Sequence, residues 1–382
     1  MIHVFYAGTK KPIPIGKLAF HDRKIHFEYT ADFLNTGIEL SPLKLPLKPG
    51  IHISEATPFE GLFGVFNDSI PDGWGRLLLD RKFHNLTPLD RLSHVGRHGM
   101  GALLYEPSES EEIPDEFPNL DQISDECASF LEEENLQWVE DLLIRNGSSA
   151  GARPKIVMRF NDEEWLVKFR SSTDPRDMGP IEYAYHLMAQ QAGLEVAAAK
   201  VFASKKGPGY FGVERFDRTT RGRVHVHTIA GLLHVDHRAF SLDYETLIRA
   251  TLWLTRDAYE AQKQFRRAVF NVLAHNRDDH AKNFAFTMNE TGIWKVSPAY
   301  DLTFSSGPSG EHCTTIMGEG KHPTKSHLMK LASIAGIAEP TAKSIIDEVN
   351  SAVSKWKYFA QQSDVSKTSS KQIENALAQI KL

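Results

Sequence analysis

The spacing of apolar and polar positions changes twice along this chain, and each stretch predicts a different kind of element. Residues 2–7, 15–20 and 24–29 are β-rich runs separated by Gly, Pro and Asp, a pattern that predicts a small antiparallel sheet. Asp72-Gly73-Trp74 then opens a helix reaching about His84, and residues 1–106 form a first α+β subdomain. Further on, residues 136–145 have helical spacing, residues 155–160 and 164–169 alternate around Asn161-Asp162 as a hairpin does, residues 181–192 read as a helix, and residues 199–203 and 210–216 as strands. From Asp243 onward the period is helical, through residues 265–275 to amphipathic segments at 341–359 and 371–380, interrupted by one hairpin carrying Trp294 and Asp301. The expected class is α+β: a β-rich lobe over 135–240 followed by a helical lobe over 241–382, with no internal repeat.

Composition leaves this picture standing and narrows its setting. The chain has 382 residues, 41% hydrophobic and 24% charged, enough for two or three cores. The first eleven residues hold no apolar signal core, and no run approaches the roughly 18 to 20 apolar residues of a membrane span, which points to a cytoplasmic protein. Cys127 and Cys313 have no metal-ligand spacing, which fits a reducing compartment and argues against a disulfide or a thiolate zinc site. The net charge of −5 is uneven: residues 108–134 contain eleven Asp or Glu and no Lys or Arg. With Pro107, Pro114 and Pro118, residues 107–134 read as an acidic, solvated linker or surface arm. A pI near 6.4 without a basic stripe argues against nucleic-acid binding by this chain alone.

Candidate chemistry concentrates between Asn276 and Asp301. The run Asn276-Arg277-Asp278-Asp279-His280-Ala281-Lys282-Asn283, followed by Ser297-Pro298-Ala299-Tyr300-Asp301, places Asp278, Asn283 and Asp301 in the order of a phosphotransferase base and two metal ligands. Those types suit Mg²⁺ bound to ATP, which takes hard oxygen ligands. Either half by itself also fits a helix end or a turn, where Asp and Asn are enriched. Lys168 lies in the apolar strand Trp165-Leu166-Val167-Lys168-Phe169; it is either a solvated strand lysine or, set before a helix bearing Glu182, a phosphate-gripping one. Residues 147–152 are small enough for backbone N–H groups to approach phosphate, or for a flexible linker. The glycine-rich residues 96–103 lack a leading strand and read as a tight turn. His225, His227, His234 and His237, with Asp278, Asp279 and His280, leave open a metal hydrolase; an H-x-H pair also arises as two exposed strand positions.

The stretches FNVLAHNRDDHAKNFAF and WKVSPAYDLTFS resemble the catalytic and metal-binding segments of the HipA family, serine/threonine kinase toxins of bacterial type II toxin-antitoxin pairs. FGVFNDSIPDGWGRLLLDR resembles that family's N-terminal signature, GSSAGARPK its phosphate-side loop, WLVKF its ATP-lysine strand and GVERFDR its hinge. The resemblance implies a two-lobe protein-kinase-like fold that uses ATP and Mg²⁺. Asp278 becomes the general base, and Asn283 and Asp301 the metal ligands. Lys155 and Lys168 contact phosphates, with Ala150, Gly151, Ala152, Arg153 and Pro154 in the loop, and Glu214, Arg215 and Phe216 form the hinge around adenine. His280, Lys282 and Tyr300 line the nucleotide site. Ser148, with Ser149 adjacent, matches an autophosphorylated serine. The family's substrates are aminoacyl-tRNA synthetases, and its partner is a separate helix-turn-helix antitoxin like HipB. A catalytically silent co-repressor subunit is the other class the resemblance allows.

Overall fold

Alternating burial closes the N-terminal segment into a five-stranded antiparallel sheet. In the computed structural model, which describes residues 1–133, 139–146, 151–220, 222–239 and 242–380, the strands are β1 (Ile2–Tyr6), β2 (Ile13–His21), β3 (Lys24–Tyr29), β4 (Ile51–Ile53) and β5 (Leu103–Glu106). Their order is β4-β3-β2-β1-β5. Ile2, Val4 and Tyr6 alternate inward on β1, the period of a half-buried strand. The helix Gly73–Lys82 follows, with Asp72 at its N-cap.

The next sheet is also antiparallel, with β6 (Lys155–Phe160), β7 (Glu163–Lys168), β8 (Ala199–Phe202) and β9 (Tyr210–Glu214) in the order β6-β7-β9-β8. Asn161 and Asp162 both have positive φ, 53° and 64°, as a two-residue hairpin turn between twisted strands requires. The helix Met178–Gln191 packs on this sheet. The remainder is helical around Ala258–Leu273, whose Phe265, Ala268, Val269 and Phe270 are fully buried. Small sheets interrupt it, among them an antiparallel one formed by His225–Thr228, Ala285–Met288 and Trp294–Val296. Among the described residues no helix is long and apolar enough to cross a membrane.

Two findings depart from the sequence reading. The acidic tract is a linker only in its front part: Leu120–Glu133 is a helix whose Leu120, Ile123, Cys127 and Phe130 are buried with Trp74, Leu78 and the inner face of β6 and β7. Those four positions fall on one face of a 3.6-residue helix, and most of the acids that suggested a solvated arm lie off it, although Glu126 is itself buried. The N-terminal subdomain, moreover, shares one continuous core with the helical lobe. Gly64 and Gly231 let the N-terminal subdomain approach the helix Ile229–Leu233 closely, since a Cβ on either would collide with the other's backbone.

Candidate functional site

Antiparallel register sets Lys155 directly opposite Lys168 across β6 and β7. Two ammoniums facing each other repel unless an anion lies between them. Two acids provide it. Lys168 Nζ is 2.6 Å from Asp301 Oδ1 and 3.3 Å from Glu182 Oε2, the latter on the helix packed against the sheet. Burial, and then the Lys168 charge, pull the Lys155 ammonium down to about 8. Burial would raise the Asp301 acid, but Lys168 and Lys155 override it and hold the carboxyl well below the usual range. Arg153 joins the cluster, its Nε 2.9 Å from Asp174 Oδ2 and its Nη1 3.3 Å from Glu182 Oε1. Asp301 itself has φ of +56°, a conformation Asp tolerates better than most residues. Such backbone strain collects at functional sites.

The loop between the helix Ala258–Leu273 and the strand Ala285–Met288 presents the other half. Asp278 is exposed, whereas its neighbour Asp279 is buried. Asp279 Oδ2 accepts from Tyr244 Oη at 2.8 Å and from His312 Nδ1 at 2.9 Å, and its Oδ1 from the Thr314 N–H at 3.2 Å. Asp279 therefore anchors the loop and Asp278 is left facing outward. The Asp278 acid is raised, first by partial loss of hydration and then by the Asp301 charge, with His280 opposing. Asn283 Nδ2 donates to the Asp278 carbonyl at 2.8 Å, which fixes the loop and leaves the amide oxygen of Asn283 available. His280 Nδ1 accepts from the Lys282 N–H at 3.2 Å, and Tyr300 Oη donates to the Lys282 carbonyl at 2.6 Å. The Phe216 ring stacks on Tyr300 with centroids 5.8 Å apart.

Several expected site residues make contacts that the sequence did not suggest. Lys282 Nζ lies 2.7 Å from Asp72 Oδ2, and the other Asp72 oxygen accepts from the Gly151 N–H. Asp72, read from sequence only as the opener of a helix, makes no side-chain cap bond there and instead ties the N-terminal subdomain to both loops. The Arg215 guanidinium pairs with Asp217 at 2.8 Å and Glu164 at 3.3 Å. Asp217 also accepts from the Gly101 N–H at 2.7 Å, and Arg218 donates to the Gly99 carbonyl at 2.8 Å. The glycine-rich turn thus docks on the segment after β9, where only tertiary contact reveals its partner. His225 and His227 are buried, not exposed: His225 Nε2 meets the Leu40 carbonyl at 2.9 Å, and His227 lies 2.7 Å from Asp68 and 2.9 Å from Ser41. Among the described residues no group of three or more His, Cys, Asp or Glu is arranged to hold a metal. Ser148, Ser149 and Ala150 lie outside the described residues.

Comparison with known proteins agrees along the chain. The HipA N-terminal domain matches residues 4–106 and the HipA-like C-terminal domain residues 147–356. Y4dM of Sinorhizobium fredii, named as a candidate kinase, is 26% identical over 342 residues, covering 81% of this chain and 82% of its own. HipA in a solved complex with HipB and operator DNA from Shewanella oneidensis superposes with a TM-score of 0.69 at 18% identity, covering 96% of this chain and 94% of that one. The chain belongs to the HipA family, and its fold is the kinase-like α+β fold of that HipA.

Proposed function

We propose that this HipA-family chain is an ATP- and Mg²⁺-dependent protein serine/threonine kinase and the toxin of a type II toxin-antitoxin pair. The observation that carries the reading is Lys168 paired with Glu182 beside Asp301, which matches the lysine–glutamate pair of kinases next to their metal-holding aspartate. Asp278, exposed and with a raised acid, would accept the proton of the substrate hydroxyl. Asp301 and the free amide oxygen of Asn283 are hard donors that fit Mg²⁺, with phosphate oxygens and water completing its shell. Bound there, the ion would neutralise charge on the phosphate oxygens. Lys155 and Lys168 would bind phosphates as point charges, and Phe216 with Tyr300 would wall the nucleotide cleft.

The family resemblance supports a translation factor such as an aminoacyl-tRNA synthetase as substrate. The HipB bound in the Shewanella complex supports a separate antitoxin of that kind as partner. Phosphoproteomes of cells expressing the wild type and Asp278→Ala test the activity and the substrate together. A site phosphorylated only with the wild type is expected; indistinguishable phosphoproteomes would leave a silent binding subunit as the better reading.

Metal dependence gives a separate expectation. Asp301→Ala should abolish Mg²⁺-dependent nucleotide binding, and Asn283→Ala should raise the Mg²⁺ requirement, by at least the about 10- to 100-fold that losing an outer partner of a metal ligand costs. Calorimetric Mg²⁺ titrations of nucleotide binding that coincide with the wild type would remove both residues from the metal site.

Self-phosphorylation at Ser148 is proposed as the limit on activity. A phosphate adds about −1.5 to −2 charge, which beside ATP phosphates would drive the loop outward. Mass spectrometry after incubation with Mg-ATP should find one added phosphate at Ser148, absent in Asp278→Ala, with activity falling as it accumulates. A phosphate at Ser149 corrects the address; labelling of neither serine ends the idea.

A further inference from the structure

Residues 72–74 of the N-terminal subdomain hold a residue on each side of the cleft described above. Lys282 Nζ lies 2.7 Å from Asp72 Oδ2, while the other Asp72 oxygen accepts from the Gly151 N–H. The Trp74 N–H donates back to the Gly151 carbonyl at 3.0 Å. Between them Gly73, with φ of +47°, comes so near that a Cβ on it would stand 2.6 Å from the Gly151 carbonyl oxygen.

Both gripped residues border the candidate chemistry. Gly151 leads into Arg153 and Lys155, and Lys282 stands between Asp278 and Asn283. The Lys282 carbonyl also takes the hydroxyl of Tyr300, the neighbour of Asp301. One carboxylate from the N-terminal subdomain therefore joins the loop before β6 to the loop that carries Asp278. Its own helix makes no use of it, since Asp72 makes no side-chain cap bond there. The ion pair is sheltered, its side chains 13% and 9% exposed, so removing the acid would leave the Lys282 ammonium uncompensated. Burial would raise the Asp72 acid, but Lys282 and the Gly151 N–H hold it well below the usual range.

We propose that Asp72 is a positioning residue for the nucleotide site, through which docking of the N-terminal subdomain sets the two loops in register. By linkage, nucleotide bound between those loops must tighten the docking in return. The inference rests on the kinase reading for what the cleft binds, but not for the role of Asp72 in holding the loops.

The test compares full-length wild type and Asp72→Ala by amide hydrogen exchange and by titration with Mg-ATP. Faster exchange is expected in the variant at Gly151 and Lys282, with ATP affinity about 10- to 100-fold weaker, the fold-change of losing a hydrogen bond to a charged group. The loss should appear in KM for ATP more than in kcat, a split that mere destabilisation of the fold would not produce. Unchanged exchange at Gly151 and Lys282 overturns the proposal, and so does faster exchange with unchanged ATP affinity. A wild type that binds no ATP strikes the kinase reading instead, and the exchange comparison still decides whether Asp72 holds the loops. If Asp72→Ala does not fold, the isosteric Asp72→Asn, which lacks the charge for Lys282, takes its place. Should that fail too, exchange at the Trp74 N–H of the wild type must slow on saturation with Mg-ATP, and an unmoved rate overturns the coupling.

Discussion

Asp278→Asn is expected to lower phosphoryl transfer about 10²- to 10⁴-fold, with ATP affinity close to that of the wild type. In the proposed mechanism the carboxylate would act on the acceptor hydroxyl, whereas the charges proposed to face the nucleotide are those of Lys155, Lys168 and Asp301, which lie together in the structure. The exposed Asp278 carboxyl contributes little to the fold, so the variant should be a clean kinetic probe. The raised acid adds a pH signature. As pH falls, wild-type turnover should decline earlier than an ordinary aspartate would dictate, because the base becomes protonated sooner. The residual rate of the Asn variant should lack that limb. Single-turnover transfer from labelled ATP across the acidic range measures both, and a variant within a few-fold of the wild type would place the base elsewhere.

Asp279→Ala should behave in the opposite way, losing stability before chemistry. It removes the common acceptor of Tyr244 Oη, His312 Nδ1 and the Thr314 N–H in a site with no solvent to replace it. Each buried donor left unmade costs about 1–3 kcal/mol, so a loss of about 3–5 kcal/mol is expected after partial relaxation. For a chain of 382 residues that corresponds to a Tm lower by roughly 4–6 °C. Asp279→Asn keeps an acceptor oxygen and should recover a good part of the loss. Thermal unfolding of the two variants beside Asp278→Asn decides the matter: if Asp279→Ala melts with the wild type, the buried network does not hold the loop.

These two neighbours mark how far the sequence could be read. The order Asp278, Asn283, Asp301 singled out the candidate segment, but the dipeptide Asp278-Asp279 carries no sign of which carboxylate faces out. That choice follows from Tyr244 on one helix and His312 and Thr314 on a distant loop. Asp72 likewise looked like a helix opener because helix starts have a local code, while its bond to Lys282 spans 210 residues of sequence. The helix Leu120–Glu133 was legible in principle from the spacing of Leu120, Ile123, Cys127 and Phe130, and the acidity of its other face obscured it.

The sequence alone determined what neighbouring residues can settle: the strand period of β1, the turn at Asn161-Asp162, the helical period after Asp243 and the motif order that resembles HipA. Such features depend on φ/ψ preference and on burial patterns repeating every two or 3.6 residues, which a short window contains. Tertiary structure alone decided the pairing of Lys168 with Asp301 across 133 residues, the cost of Lys155 facing Lys168 and the pairing of Arg215 with Asp217. Charge energy depends on distance and burial in three dimensions, and neither is fixed until the lobes have packed.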